Sequence, residues 1–218
     1  MTTLYVFGHL GQTDPGFVPA GQLNLTEQGS QVLASEFAYG GRYLDRPEAF
    51  EVDPVSLGLA DKAAVRMQFL QPAAGLSEFG GIRDAAPDAW GRRVIEARLR
   101  APVNSLPEST YLLQAGSDRV GALDVRNALG SPGLAGAGPI HTLEHILQAA
   151  ELVQAGLPIP VHLMDVLGAG PTAGGARPKA SVRDNDGSLW LAKFPSNGDG
   201  FDMARAELCT LELARCCG

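Results

Sequence analysis

Short apolar runs separated by turn residues occupy about the first 80 residues of the chain and predict extended structure. Two such runs are Leu4–Phe7 and Gly21–Leu25. In Phe50–Leu59 apolar residues alternate with others, which is typical of a strand with one buried face. A further strand with a tight entry is predicted over Asp118–Arg126. We therefore expect this part of the chain to be rich in short strands.

A first helix is predicted between these strand segments, within the stretch from Phe79 to Arg100. Asp84 is placed to cap it, and Pro87 suits its first turn because proline lacks the N–H that is unpaired there. Four apolar residues then recur at helical spacing and predict the buried side: Trp90, Val94, Ala97 and Leu99.

A second helix follows the most glycine-rich linker of the chain. Four glycines among small residues make up the segment 130–138, which is typical of a flexible connection. Thr142 is placed to cap the helix, while Gly156 and Pro158 are placed to end it. Its predicted buried stripe consists of Leu143, Ile146, Leu147, Ala150 and Val153.

The segment from Gly168 to Gly175 is a second glycine-rich stretch and raises the question of a phosphate-binding loop. Gly170 and Gly175 have the spacing of a Walker A motif, but Ala176 and Arg177 stand where lysine and a hydroxyl residue are needed. A P-loop is therefore excluded.

A dinucleotide-binding fingerprint is excluded for a different reason. Gly168–Ala173 matches its relaxed form, but that motif must open a helix whose N-terminus carries the pyrophosphate. Here the chain continues into two apolar-alternating runs separated by Asp184–Gly187, whose Asp-Gly pair predicts a hairpin. The glycine-rich turn is thus predicted to lead into strands.

A glycine-rich turn followed by antiparallel strands, with a lysine on a later strand, is the arrangement with which protein kinases cover ATP phosphates. Lys193 lies on the same strand face as Leu189 and Leu191, so its ammonium is expected to be partly desolvated unless a phosphate or carboxylate meets it. A helix is predicted to begin near Asp202 and carries Glu207, 14 residues beyond Lys193. The alternatives are a lysine that extends from a strand end into solvent and a solvated helix glutamate.

Composition narrows the class of protein. The net charge of −7 over 218 residues argues against a dedicated nucleic-acid binder, because phosphate neutralisation needs a basic face. No apolar run has the roughly 18 residues of a membrane helix, and the amino terminus lacks a signal-peptide pattern. The three cysteines are crowded near the carboxyl end without histidine partners, which predicts no disulfide framework, no metal site and a reducing cytoplasm.

Several stretches together resemble HipA-type toxins, the serine/threonine kinases of type II toxin–antitoxin systems. "GGARPKA" (Gly174–Ala180), "LAKFPS" (Leu191–Ser196) and "ARAELCTLELA" (Ala204–Ala214) are similar to the start of the family's kinase core. Upstream, "FGGIRDAAPDAWGRR" (Phe79–Arg93) and "DRVGAL" (Asp118–Leu123) are similar to its N-terminal domain. The resemblance spans nearly the whole chain in the family's order.

This resemblance implies an α+β fold with a mixed α/β N-terminal domain over residues 1–130, the linker 131–138, and a partial kinase-like N-lobe over 139–218. The N-lobe would consist of antiparallel strands, a glycine-rich loop and one helix. The family uses ATP with Mg²⁺, phosphorylates an aminoacyl-tRNA synthetase, and is restrained by a DNA-binding antitoxin of the HipB type. Direct contact of this chain with nucleic acid or a membrane is not expected.

The resemblance also assigns roles to individual residues. Lys193 would hold the ATP phosphates and Glu207 would orient it. Thr172 would take the place of the family's autophosphorylated serine, and its phosphate would add about −1.5 to −2 charges. The covering loop and a second candidate cation complete the predicted ATP-binding set: Gly170, Gly174, Gly175 and Lys179. For Lys179 and its neighbour Arg177, solvation at a strand edge is the alternative.

The catalytic loop of a kinase is missing from the sequence. That loop needs an aspartate five positions before an asparagine that binds magnesium, and none of the five asparagines here follows an acidic residue at that spacing. The chain is therefore expected to be the N-terminal portion of a HipA-type kinase, without catalytic residues and inactive alone. The alternative is a non-catalytic module that binds a kinase core or an antitoxin.

Overall fold

Four strands form an antiparallel sheet in the order β3-β2-β1-β4. They are β1 (Thr2–His9), β2 (Phe17–Gln28), β3 (Gln31–Tyr39) and β4 (Leu123–Arg126). The computed structural model describes residues 1–11, 16–117, 119, 121–134, 138–139, 143–164 and 175–218. Of the strand predicted over Asp118–Arg126, the last four residues form β4, while residues 118 and 120 lie outside the described set.

The prediction of a strand over Phe50–Leu59 is wrong, because this segment forms turns. Its backbone groups bond to side chains instead of a neighbouring strand. The Tyr39 hydroxyl accepts from the N–H of Val52 at 3.0 Å and donates to the carbonyl of Leu57 at 2.7 Å. The carboxylate of Asp53 accepts the N–H of Gly80 at 3.1 Å. Val52 and Leu57 are thus buried by a folded loop, whereas Val55 is exposed.

Eight helices lie in the described residues. They are α1 (Gly41–Leu44), α2 (Lys62–Val65), α3 (Gly80–Asp84), α4 (Ala89–Leu99), α5 (Glu108–Gln114), α6 (Leu143–Ala155), α7 (Val161–Met164) and α8 (Met203–Cys217).

The first predicted helix is divided in two, and Asp84 ends α3 instead of capping α4. Pro87 disfavours helical geometry in the residue before it, so the chain leaves the helix there and starts again. Asp88 caps α4, with its carboxylate accepting the N–H of Gly91 at 2.7 Å. Trp90 and Val94 are buried as the spacing predicts, but Leu99 at the end of α4 is exposed.

The second predicted helix is confirmed as α6. Its buried side consists of Ile146, Ala149, Ala150 and Val153. Gly156 follows the helix with a φ of +66°, a left-handed conformation that glycine adopts without strain. The predicted cap, Thr142, lies outside the described residues.

A second sheet has the order β5-β6-β7, with β5 (Gly138–Pro139), β6 (Lys179–Arg183) and β7 (Leu189–Lys193). β5 is parallel to β6, and β6 is antiparallel to β7. The hairpin predicted at Asp184–Gly187 is confirmed: the N–H of Asp184 donates to the carbonyl of Ser188 at 2.9 Å, and Gly187 has a φ of +86°. The chain is therefore a mixed α+β structure.

Two clusters of buried apolar side chains form the core. The first lies against the four-stranded sheet and includes Val6, Leu23 and Phe37. The second joins α4 to α6 and β6, through side chains such as Trp90, Ile146 and Val182. Helix α4 therefore packs against the part of the chain that carries the second sheet. In the described part of the chain, no helix has the length and apolar character needed to cross a membrane.

Candidate functional site

A pocket of about 760 Å³ lies where the residues leading into β6 meet β6, β7 and the first turns of α8. Gly175 and Arg177 belong to the segment before β6, Lys179 and Lys193 come from the two strands, and Glu207 comes from the helix. Ligand sites commonly enclose about 300–1,000 Å³, so a nucleotide-sized molecule is within the capacity of this pocket.

Lys193 and Glu207 are joined across the pocket by a hydrogen-bonded ion pair between Nζ and Oε1. The two side chains are 49% and 46% exposed. Asp202 fixes the start of α8, because its carboxylate accepts the N–H of Arg205 at 3.0 Å. Since Glu207 lies in the second turn of that helix, the cap at Asp202 places its carboxylate beside the end of β7.

The expected desolvation of Lys193 by its apolar row does not occur in the described structure. Leu189 and Leu191, which share its strand face, are exposed. An exposed lysine–glutamate pair contributes only about 0–1 kcal/mol to folding stability, because water screens both charges. The pair therefore adds little to folding stability. Its main consequence is that the ammonium of Lys193 is held in a defined position in the pocket.

Lys179 lies on the same pocket wall but in a different environment. Its side chain is 6% exposed, so solvation at a strand edge is excluded. The ammonium donates to the carboxylate of Asp88 at 2.9 Å and to the carbonyl of Gly175 at 2.7 Å. The main-chain oxygen of Lys179 accepts from the indole N–H of Trp90 at 2.8 Å. The predicted ATP-binding lysine is thus also a link to α4.

Arg177 is paired with Asp199, at 2.6 Å between its Nη2 and the carboxylate Oδ1. This hydrogen bond, together with the N–H of Ser196, holds the pKa of the Asp199 carboxyl below its usual range. The N–H of Phe194 also donates to the carbonyl of Pro178 at 2.9 Å. The turn before β6 and the loop after β7 are therefore fastened to each other at the edge of the pocket.

The charges lining the pocket are balanced. Three cationic side chains, Arg177, Lys179 and Lys193, each have a carboxylate partner. Three acidic side chains also line the pocket: Asp199, Asp202 and Glu207. An anionic ligand must therefore share or displace one of these partners, and the half-exposed ammonium of Lys193 is more accessible than the buried one of Lys179.

Part of the predicted site falls outside the described residues, namely Gly170, Thr172 and Gly174. Gly175 is described, and its φ of +121° is a conformation that other residues rarely adopt. Within the described ranges, no group of three or more histidine, cysteine, aspartate or glutamate side chains is placed to hold a metal ion. The three cysteines are exposed along α8.

Sequence reasoning missed Asp88 as a residue of this site. Asp88 lies 91 positions from Lys179, and no local pattern connects the two. The sequence feature that could have indicated this role is the "DAWGRR" stretch, in which Asp88 precedes a buried tryptophan by two positions. A helix cap followed by an inward-facing indole indicates that the start of α4 docks against another element.

A scan against protein-family models finds no match to the chain, and a search of curated proteins finds no relative. The resemblance to HipA-type kinases therefore rests on short stretches such as Gly174–Ala180 and Leu191–Ser196. An assignment of function has to come from the pocket and from what its residues can bind.

Proposed function

We propose that the pocket binds ATP and that the chain is the nucleotide-holding, N-terminal portion of a HipA-type serine/threonine kinase. The observation that carries the proposal is the Lys193–Glu207 ion pair on the wall of a nucleotide-sized pocket beside the glycine-rich turn. In protein kinases a strand lysine held by a helix glutamate contacts the α- and β-phosphates. Strand, loop and helix follow in the same order here.

The accessibility of Lys193 supports a phosphate ligand in this pocket. The ammonium of Lys193 is half exposed, so an incoming phosphate can reach it without unfolding the pocket. Glu207 holds the ammonium in place and accepts from it, which limits the entropy lost when a phosphate binds. Apolar surface from Pro178, Phe194 and Met203 lines the same pocket and suits a base or ribose.

In this proposal the chain binds the nucleotide but does not transfer the phosphoryl group by itself. Kinases need an aspartate to accept the hydroxyl proton and further side chains to hold Mg²⁺. The described residues offer no metal-binding group, and the sequence lacks the catalytic-loop spacing. The described residues therefore fit ATP but offer no group of their own that is placed to hold Mg²⁺. In this proposal an aminoacyl-tRNA synthetase is the substrate class of the complete kinase, and a HipB-type antitoxin is its partner.

The proposal is tested by titrating ATP into the purified chain and into Lys193→Met, with heat of binding as the readout. We expect at least about a tenfold loss of ATP affinity in the variant, equivalent to about 1.4 kcal/mol. Lys62→Met is the matched control, because Lys62 donates to the carbonyl of Arg46 and does not line the pocket. Absence of ATP binding by the unchanged chain, or equal affinity in Lys193→Met, contradicts the proposal.

The predicted lack of catalysis has its own test. Incubation with radiolabelled ATP, alone and with a synthetase, is expected to leave both proteins unlabelled. Label that is incorporated by the unchanged chain and lost in Lys193→Ala would show that the chain catalyses transfer.

A second candidate function is supported by the exposed apolar side chains of β7 and α8. Trp190, Leu191, Leu208 and Leu211 are all exposed. Large apolar side chains that stay exposed on a strand and a helix favour contact with another protein, which fits a non-catalytic module that binds a kinase core or an antitoxin. Co-purification with the products of neighbouring genes tests it, with Leu208→Ser expected to weaken capture while leaving ATP binding unchanged. Failure to capture any of them removes this candidate.

A further inference from the structure

Asp88 makes two contacts that belong to different parts of the fold. Its Oδ1 caps α4 by accepting the N–H of Gly91 at 2.7 Å, and its Oδ2 accepts from the ammonium of Lys179 at 2.9 Å. The same ammonium donates to the carbonyl of Gly175 at 2.7 Å. A continuous path of three polar contacts therefore runs from the start of α4 to Gly175, where the described structure resumes before β6.

The middle contact of this path, the ion pair between Asp88 and Lys179, is buried, so losing one partner is costly. Lys179 is almost fully buried, and an ammonium that loses its carboxylate partner in such a place is left as an uncompensated charge. Without Asp88, the side chain has to turn toward solvent or toward a pocket carboxylate. Either movement releases the carbonyl of Gly175.

A separate contact holds the strand itself. The indole of Trp90 donates to the main-chain oxygen of Lys179, and Trp90 is packed in the second apolar cluster. The backbone of β6 is thus anchored independently of the charge on Asp88. The ammonium position can change while the sheet stays in place.

We propose that Asp88 and Lys179 are positioning residues that hold Gly175 and the start of β6 at the wall of the pocket that Lys193 also lines. The N-terminal part of the chain thereby sets the affinity for nucleotide phosphates through α4. This inference rests on the proposed ATP site. It assigns Lys179 the task of placing Gly175, while Lys193 remains the cation that the phosphate contacts.

The experiment compares Asp88→Asn with the unchanged chain. Asparagine is as good a helix cap as aspartate, so the change keeps the cap and removes the charge that Lys179 needs. Asp84→Asn is the matched control, since Asp84 ends α3, is exposed, and undergoes the same loss of charge. Amide hydrogen exchange of a peptide covering residues 175–183 and the affinities for ATP and adenosine are measured for each.

We expect Asp88→Asn to exchange at least about tenfold faster in that peptide and to bind ATP about tenfold more weakly, while adenosine binding is unchanged. A general loss of structure would weaken both ligands and speed exchange throughout the chain, so that outcome overturns the positioning role. The Lys179→Met variant breaks the same path. Combining it with Asp88→Asn is therefore expected to add little to the loss of ATP affinity, whereas Lys193→Met is expected to add its full effect.

The two proposals fail in different ways. If ATP binding depends on Lys193 but Asp88→Asn matches the unchanged chain in exchange and in ATP affinity, the positioning role is wrong and the ATP site stands. If no variant or parent binds ATP, the proposed function is wrong, and faster exchange in Asp88→Asn would still show that Asp88 and Lys179 hold residues 175–183 in place. Unchanged exchange in that case overturns the inference as well. Should Asp88→Asn not fold, Lys179→Met carries the same comparison.

Discussion

Replacing Trp90 with phenylalanine removes the contact that anchors β6 to α4. Trp90 is 1% exposed, and its indole N–H donates to the main-chain oxygen of Lys179 at 2.8 Å. Phenylalanine keeps most of the ring in the second apolar cluster but has no donor. The carbonyl of Lys179 is then buried without this partner, and a small cavity remains where the second ring was.

The expected cost follows from these two losses. A buried carbonyl left without a hydrogen bond costs about 1–3 kcal/mol. The smaller ring buries about 40 Å² less apolar surface, which at about 25 cal/mol per Å² is a further loss of about 1 kcal/mol. We therefore expect Trp90→Phe to lower the free energy of unfolding by about 2–4 kcal/mol.

Urea denaturation followed by far-ultraviolet circular dichroism measures this difference, and the chain provides its own control. Its other tryptophan, Trp190, is 57% exposed on β7, so Trp190→Phe makes the same chemical change on the surface. Surface substitutions of this kind usually change stability by less than about 0.5 kcal/mol. Equal and small effects of the two variants would refute the view that Trp90 joins the two parts of the fold.

Three further predictions concern other parts of the molecule. Gly81→Ala is expected to cost about 1–3 kcal/mol in urea denaturation, because its Cβ would lie 2.2 Å from a main-chain oxygen, whereas Gly80→Ala meets nothing within 4 Å and changes stability by less than about 1 kcal/mol. Glu78→Gln is expected to raise the melting temperature at neutral pH, because burial raises the pKa of Glu78 and penalises its charged form. Since lower pH protonates Glu78 in the unchanged chain, this gain shrinks on acidification. The Arg177–Asp199 pair is expected to stay intact above the ordinary aspartate pKa of about 3.9 and to open as pH falls through the depressed pKa of Asp199, with a carboxyl NMR midpoint that moves upward in Arg177→Gln.

Each of these predictions has a result that contradicts it. Equal stability of the Gly80 and Gly81 variants would show that the backbone around α3 shifts to accommodate the added Cβ at little cost. A melting temperature of Glu78→Gln that is lower than that of the parent would show that the carboxylate makes a favourable contact. An Asp199 midpoint that is unchanged by Arg177→Gln would show that the guanidinium does not hold the carboxylate in solution.

Elements that depend on close neighbours in sequence could be predicted well. The helix α6, the hairpin at Asp184–Gly187 and the start of α8 at Asp202 all follow from a spacing or a cap within a few residues. The approach of Glu207 to Lys193 also follows, because only a short loop and one helical turn separate them. Their role in ATP binding stays a prediction.

Elements that depend on distant partners could not be predicted. The alternating apolar residues of Phe50–Leu59 suit a strand equally well, and the outcome depends on Tyr39, whose hydroxyl accepts the N–H of a residue 13 positions away. The exposure of Leu189 and Leu191 is of the same kind, because a strand pattern shows which residues share a face but not what covers that face.

The amino-acid sequence by itself determined the local units of this protein: the helix stripes, the turn residues, and the order of glycine-rich turn, lysine strand and glutamate helix. Only the tertiary structure decided that Lys179 is buried against Asp88 and that Trp90 fastens α4 to β6. The physical reason is that periodicity and capping act within one or two turns of chain, whereas a buried ion pair forms between residues 91 positions apart once the apolar clusters have brought them together.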